Sequence, residues 1–319
     1  MQKDMHKFDT ITYRDQANSV VEACEWLCKH GLNLQNTRIN KYKNDLIELA
    51  DYFEADKIKE FQALKSFDDI VNSTAEASEF IYIYRGLSRL TDKTIIAKLR
   101  DFIKGPESSN HELPSSSSNR ARNVSFELYM AALFVLAGFE IDLTSLADII
   151  VKINEFQVFI ECKRPQSETG VNGNINDALS QLNKRYEVAT DQNLARGIIA
   201  LSVSKISNQN TNFIETNDEL SIRPILFRKN KEFADKFGKK WQHPSNEKTI
   251  GAILQLNTSA YFHRSKLVTH CNESVLDPSN SLRKRDWISS LLYPPTPTNI
   301  LDQKIFDTIW KRFNSRQLY

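Results

Sequence analysis

Asp148 and the run Glu161-Cys162-Lys163 place two carboxylates and an amine within sixteen positions of a largely apolar stretch of a 319-residue chain. Carboxylates that end up side by side repel unless a cation or proton sits between them. A divalent metal resolves that conflict, and oxygen ligands with no histidine nearby suit Mg²⁺ or Mn²⁺ rather than zinc. A lysine beside such an ion can orient or help deprotonate a water, or stabilise charge growing on a pentavalent phosphorus. These residue types suit a metal-assisted attack of water on a phosphorus centre.

The elements that must position these groups are two strands. Asn154-Glu155 reads as a two-residue hairpin turn, because Asn tolerates the positive φ that such turns require. Paired residue numbers then sum to 309. Ile149 faces Ile160, Val151 faces Val158 and Ile153 faces Phe156, so one side of the ribbon is wholly apolar and belongs in a core. On the other side Ile150 faces Phe159, Lys152 faces Gln157, and Asp148 lands across from Glu161, where Cβ atoms are ~5 Å apart. Lys163 points to the same face as Glu161, ~6.6 Å further along the strand.

Other chemistries find little support. The six histidines are scattered outside this block, and no Gly-x-Gly-x-x-Gly or P-loop run occurs among only nine glycines. Four cysteines without a Cys-x-x-Cys pair argue against a disulfide framework or a structural zinc site. Cys24 and Cys28, i and i+4 on a helix near His30, read as ordinary free cysteines. The longest apolar run, residues 128–139, is 12 residues, short of the ~20 a membrane span needs, and a cytoplasmic protein without membrane contact is expected.

Charge is uneven. Net charge is +2, but residues 105–222 carry 9 basic and 15 acidic groups whereas residues 223–319 carry 17 and 8. An acidic centre beside a basic third fits carboxylates that gather a cation next to a surface that grips a polyanion. In Phe227 to Trp241, Lys229, Lys231, Lys236, Lys239 and Lys240 could track a backbone, while Phe233, Phe237 and Trp241 read as core. Arg164 is a candidate phosphate contact. Arg283 to Arg285 are basic but unassigned.

Along the chain, residues 1–104 read as an all-helical accessory domain. Its stripes are Val20, Val21, Cys24, Leu27 and Cys28, then Leu46, Leu49, Ala50 and Phe53, then a helix capped at Thr91 that buries Ile95, Ile96, Leu99 and Ile103. Residues 105–122, rich in Ser, Pro and Asn, read as a flexible linker. Residues 123–275 read as an α/β core with a mixed sheet: a helix over 125–137, strands over 140–143, 148–153 and 156–162, a helix over 176–190 and a strand over 197–203. A helix near 229–240 and extended runs at 249–258 and 266–271 follow. Residues 276–319 read as a basic C-terminal extension with helices around 282–292 and 300–313.

Asp148, twelve intervening residues, then Glu161-Cys162-Lys163 resembles the PD-(D/E)XK phosphodiesterase superfamily, whose restriction-endonuclease-like α/β/α fold is shared by many restriction enzymes and Holliday-junction resolvases. The likeness covers roughly Asn123 to Val203, with Ala147 where the motif's proline would stand. It implies that Asp148 and Glu161 hold the metal, that the Cys162 carbonyl is a further ligand, and that Lys163 is the catalytic lysine. Glu127, in the first turn of the expected 125–137 helix, matches the family's additional acidic ligand. Gln181 matches the polar residue on the following helix. A second acid-Xaa-Lys, Asp302-Gln303-Lys304, reads as an exposed helix segment.

The resemblance implies a Mg²⁺-dependent endonuclease leaving 3′-hydroxyl and 5′-phosphate ends. DNA is the expected substrate ahead of RNA, in a setting such as bacterial restriction or anti-phage defence, with a homodimer or a defence-system partner engaged through the N-terminal helices. The alternatives are a non-catalytic nucleic-acid-binding or scaffolding protein that retained the fold, and an RNA-cleaving toxin.

Overall fold

The computed structural model describes residues 12–90, 92–107, 112, 119–143, 146–207, 213–217, 219–243, 245–262, 267–278 and 300–314. Five helices come first: α1 (Tyr13–Lys29), α2 (Arg38–Glu54), α3 (Ile58–Leu64), α4 (Phe67–Leu87) and α5 (Lys93–Phe102). Short polar side chains start four of them. Thr12, Thr37 and Ser66 accept hydrogen bonds from the backbone N–H three residues on, satisfying donors that a helix start leaves orphaned. The cap of α5 is Asp92, which accepts from the Thr94 N–H; Thr91, expected in that role, lies outside the described residues.

Then come α6 (Asn119–Leu136), β1 (Glu140–Asp142), β2 (Ile149–Ile153), β3 (Phe156–Lys163), α7 (Val171–Val188), β4 (Ala195–Ser202), α8 (Ser204–Ser207), β5 (Phe213–Thr216), α9 (Glu219–Phe237), β6 (Thr249–Phe262), β7 (Leu267–Pro278) and α10 (Ile300–Asn314). The seven strands form one mixed sheet. Its first three strands are antiparallel, β3, β4 and β6 run parallel, and β7 returns antiparallel on β6. The other edge of β6 is shared end to end by β4 and the short β5.

The β2–β3 ribbon has the expected register, from Ile149 opposite Ile160 to Ile153 opposite Phe156. Asn154 sits at φ 54° in the turn between them. Ile149, Val151, Ile153, Phe156, Val158 and Ile160 enter one core, with α1, α2, α4, α5, α6 and α10. Ile150 and Phe159 face the other, with α7 and α9. The chain is thus an α/β structure with helices on both faces of the sheet.

Several expectations differ from what is observed. The first core runs without interruption through the N-terminal helices and the sheet, so those helices are one layer of the α/β structure. Asn119 to Arg122, expected in the linker, form the first turn of α6. They do so because Arg122 is drawn inside by Glu76, to which it donates twice, and by Glu112, whose Oε1 accepts from its Nε at 3.1 Å. Apart from Glu112, residues 108–118 of that linker lie outside the described residues. The C-terminal extension expected from 276 begins inside β7, and the helix expected around 282–292, with Arg283 to Arg285, lies outside the described residues.

Asp302 is not exposed. It is 1% accessible and ion-paired to Arg196 of β4. Pro224 lies within the first two turns of α9, ahead of the region where the helix was expected. Among the described residues no helix is long and apolar enough to cross a membrane.

Candidate functional site

The carboxyl end of β3 carries the site. Alternation along the strand sends Ile160 and Cys162 into the core beneath the N-terminal helices, and Glu161 and Lys163 toward α7. Glu161 is 1% accessible and its Oε1 accepts from Arg185 Nε at 3.1 Å. Lys163 is half-buried, and its Nζ donates to Gln181 Oε1 at 2.5 Å. Gln181 and Arg185 are i and i+4 on α7, so they share one helix face. Valine, isoleucine, alanine and leucine at 171, 175, 178, 179 and 182 dock that helix on the sheet and fix the direction of its polar pair.

Asp148 lies in the bend immediately before β2, one residue beyond the last ladder pair. It is therefore not a strand residue paired with Glu161, although the register aims it there. Its Oδ2 instead accepts the Cys162 N–H at 2.7 Å, a charge-assisted bond that pins the carboxylate to the end of β3. Its other oxygen accepts no hydrogen bond from a described residue.

Asp148 and Lys163 both act electrostatically on the Glu161 carboxyl. Burial, then the negative charge of Asp148, pushes the Glu161 carboxyl up to about 7, against the lowering pull of Lys163 and Arg185. Burial and Asp148 also raise the Glu127 carboxyl, opposed by Lys98 and Lys163. The Cys162 thiol is raised by burial and then by the same acids, so it is no nucleophile. Asp148 is the shared neighbour of both glutamates.

Glu127 is held by an ion pair with Lys98 of α5. It is the ninth residue of α6, in its third turn, because the helix starts six residues before the expected Ser125. The helix-dipole account of a first-turn acid therefore does not apply to it. Glu127 approaches from the helical layer and Glu161 from the α7 side. Among the described residues no three His, Cys, Asp or Glu side chains group as a metal-binding set. Two carboxylates, however, are a usual protein share of a magnesium site that also takes substrate phosphate and water.

Arg164, the candidate phosphate contact, turns inward. Its Nη2 pairs with Glu112 Oε1 at 3.0 Å, Glu112 also accepts from Lys205 Nζ at 3.2 Å, and burial lowers the Arg164 pKa. In α9, Phe233 and Phe237 are buried, as is Trp241 beyond its end. Lys229 donates to the Ser207 carbonyl at 2.6 Å, Lys231 pairs with Asp235 at 2.9 Å, and Lys236 pairs with Glu168. Lys239 and Lys240 are exposed.

Two site residues were not foreseen. Arg185 could have been found as the position four after Gln181 on the same helix face. Lys98 carries no local signal, since only the packing of α5 on α6 brings it to Glu127. No protein-family model, curated protein or solved structure matches the chain.

Proposed function

We propose that this chain is a metal-dependent nuclease of the PD-(D/E)XK type that hydrolyses phosphodiester bonds, with DNA the expected substrate. The observation that carries the reading is the convergence of Asp148, Glu161 and Lys163 at one strand end, with Gln181 fixing the amine. The donor set fits magnesium or manganese: hard oxygens, two carboxylates close enough that the Asp148 charge disfavours ionisation of Glu161, and no histidine or thiolate among them. Asp148 and Glu161 would hold the ion, with the Cys162 carbonyl as a backbone candidate. A bound metal ion supplies Lewis acidity and lowers the pKa of a coordinated water.

The chain's own groups supply the rest. Gln181 accepts one of the three Lys163 N–H donors, which leaves the others for a phosphoryl oxygen or an attacking water. Preorganised in this way, the ammonium stabilises charge that develops on phosphorus in the transition state. The Cys162 N–H fixes Asp148, and Arg185 fixes Glu161, so neither carboxylate need be reoriented when substrate arrives. Glu127 and Lys98 form a paired reserve of charge on the helical side.

The test is incubation of purified protein with plasmid, linear DNA and RNA, in Mg²⁺ or in chelator. Cleavage in Mg²⁺ alone, leaving 5′-phosphate ends, is the expected result, with Asp148→Ala and Lys163→Ala inactive. Variants that cleave as well as the parent protein would refute the mechanism. RNA cut in preference to DNA would reassign the substrate.

A further inference from the structure

The Arg185 side chain is 26% exposed and holds Glu161 through Nε alone. Neither of its terminal nitrogens makes a hydrogen bond with a described residue. The guanidinium thus grips a buried carboxylate with its inner N–H and leaves its outer fork without a hydrogen bond, on the α7 face that also carries Gln181, the partner of Lys163. Lys163 gives one donor to Gln181 and keeps the others for the reacting phosphorus, and Lys98 is paired with Glu127. A planar fork of unused donors matches two oxygens of one phosphate, a geometry that a lysine cannot reproduce.

Resting on the nuclease reading, we propose that Arg185 contacts a backbone phosphate of the nucleic acid at or next to the scissile bond while its Nε keeps Glu161 in place. The two duties use different nitrogens. They are joined by one rigid group, so correct seating of the phosphate and correct placement of the carboxylate occur together. Arg185 is then a substrate-positioning residue, distinct from Lys163, which acts on the reacting phosphorus.

The test is binding of a fluorescent single- or double-stranded oligonucleotide in chelator, where no cleavage occurs, over a series of salt concentrations. Loss of one phosphate contact should weaken binding about tenfold for every sequence and reduce the salt slope by about one. Arg185→Gln should show both effects, whereas Lys59→Gln, an equal charge loss on exposed α3, should show neither. Arg185→Lys keeps the charge without the fork. It should retain most of the slope, lose part of the affinity, and cover the case in which the glutamine variant does not fold.

If the parent protein binds and both Arg185 variants match it in affinity and slope, Arg185 has no phosphate contact and the nuclease reading is untouched. If the parent protein binds no nucleic acid under any salt condition, the assignment and the reading on which it rests both fall.

Discussion

Lys163 donates to Gln181 at 2.5 Å, and Glu161, two residues back along β3, accepts from Arg185, one turn further along α7. The match is geometric. Two strand residues advance ~6.6 Å and four helical residues ~6.0 Å, so an antiparallel strand and helix can hold two polar pairs in step. Gln181→Ala should therefore leave the fold and Glu161 undisturbed while freeing the Lys163 amine. The expected result is a cleavage rate down roughly tenfold, against a loss of a thousandfold or more for Lys163→Ala, consistent with removing a positioned charge. Single-turnover kinetics with saturating Mg²⁺ would measure it, and equal rates for Gln181→Ala and the parent protein would refute the anchoring role.

Glu161 makes stability depend on pH. Its carboxyl, raised to about 7 by burial and by Asp148, binds a proton in the folded state that the unfolded chain releases near the ordinary carboxylate value. Stability should then be greatest below that ordinary value and fall as pH rises through about 7, the reverse of a salt-bridged acid. In chelator the loss between pH 4.5 and pH 8 should be on the order of 3 kcal/mol from this group. Glu161→Gln should remove that component in urea unfolding curves, and Mg²⁺ should restore stability to the parent protein at pH 8 but not to the variant.

How far the sequence reveals this arrangement depends on how local the determining interaction is. The β2–β3 register was legible because alternating side chains and one Asn turn decide it within fifteen residues; Glu161 and Lys163 inherit their places from it and Asp148 its direction, while Gln181 follows from the apolar face of α7. The start of α6 was not legible: Asn119 to Arg122 look like linker until Glu76, forty-six residues away, neutralises Arg122 inside the protein. β5 was missed for a similar reason, since four residues beside β6 carry too short a pattern. The shared core of helices and sheet is likewise invisible to composition, which registers the polar connector but not the faces that meet across it.

Asp302 is the clearest case of a tertiary partner overriding local pattern, and it yields a stability prediction. With Ile305, Phe306 and Ile309 facing the core, Asp302 lies on the buried side of α10 and meets Arg196, which also donates to the Asn193 and Ala195 carbonyls. Asp302→Ala should cost about 3–5 kcal/mol, because it strands a guanidinium that is 11% exposed. Asp302→Leu combined with Arg196→Met should recover most of that loss, since replacing both charges leaves none unpaired. Denaturant unfolding of the two single variants and the double variant measures the coupling. Additive losses would show that the pair does not act as a unit.

Gly86 of α4 lies hard against Ala132 of α6, the helix that carries Glu127. A Cβ added there would lie 2.6 Å from both Cα and Cβ of Ala132 and 2.8 Å from its carbonyl oxygen. Alanine is the better helix former by about 1 kcal/mol, so an open position would gain from the change. Here the backbone of α6 must move instead, and Gly86→Ala should destabilise by about 1–3 kcal/mol net. Adding Ala132→Gly removes only the Cβ contact and leaves those to Cα and oxygen, so rescue should be partial. A Gly86→Ala variant as stable as the parent protein would mean that the helices separate at no cost, and that the placement of Glu127 does not depend on this crossing.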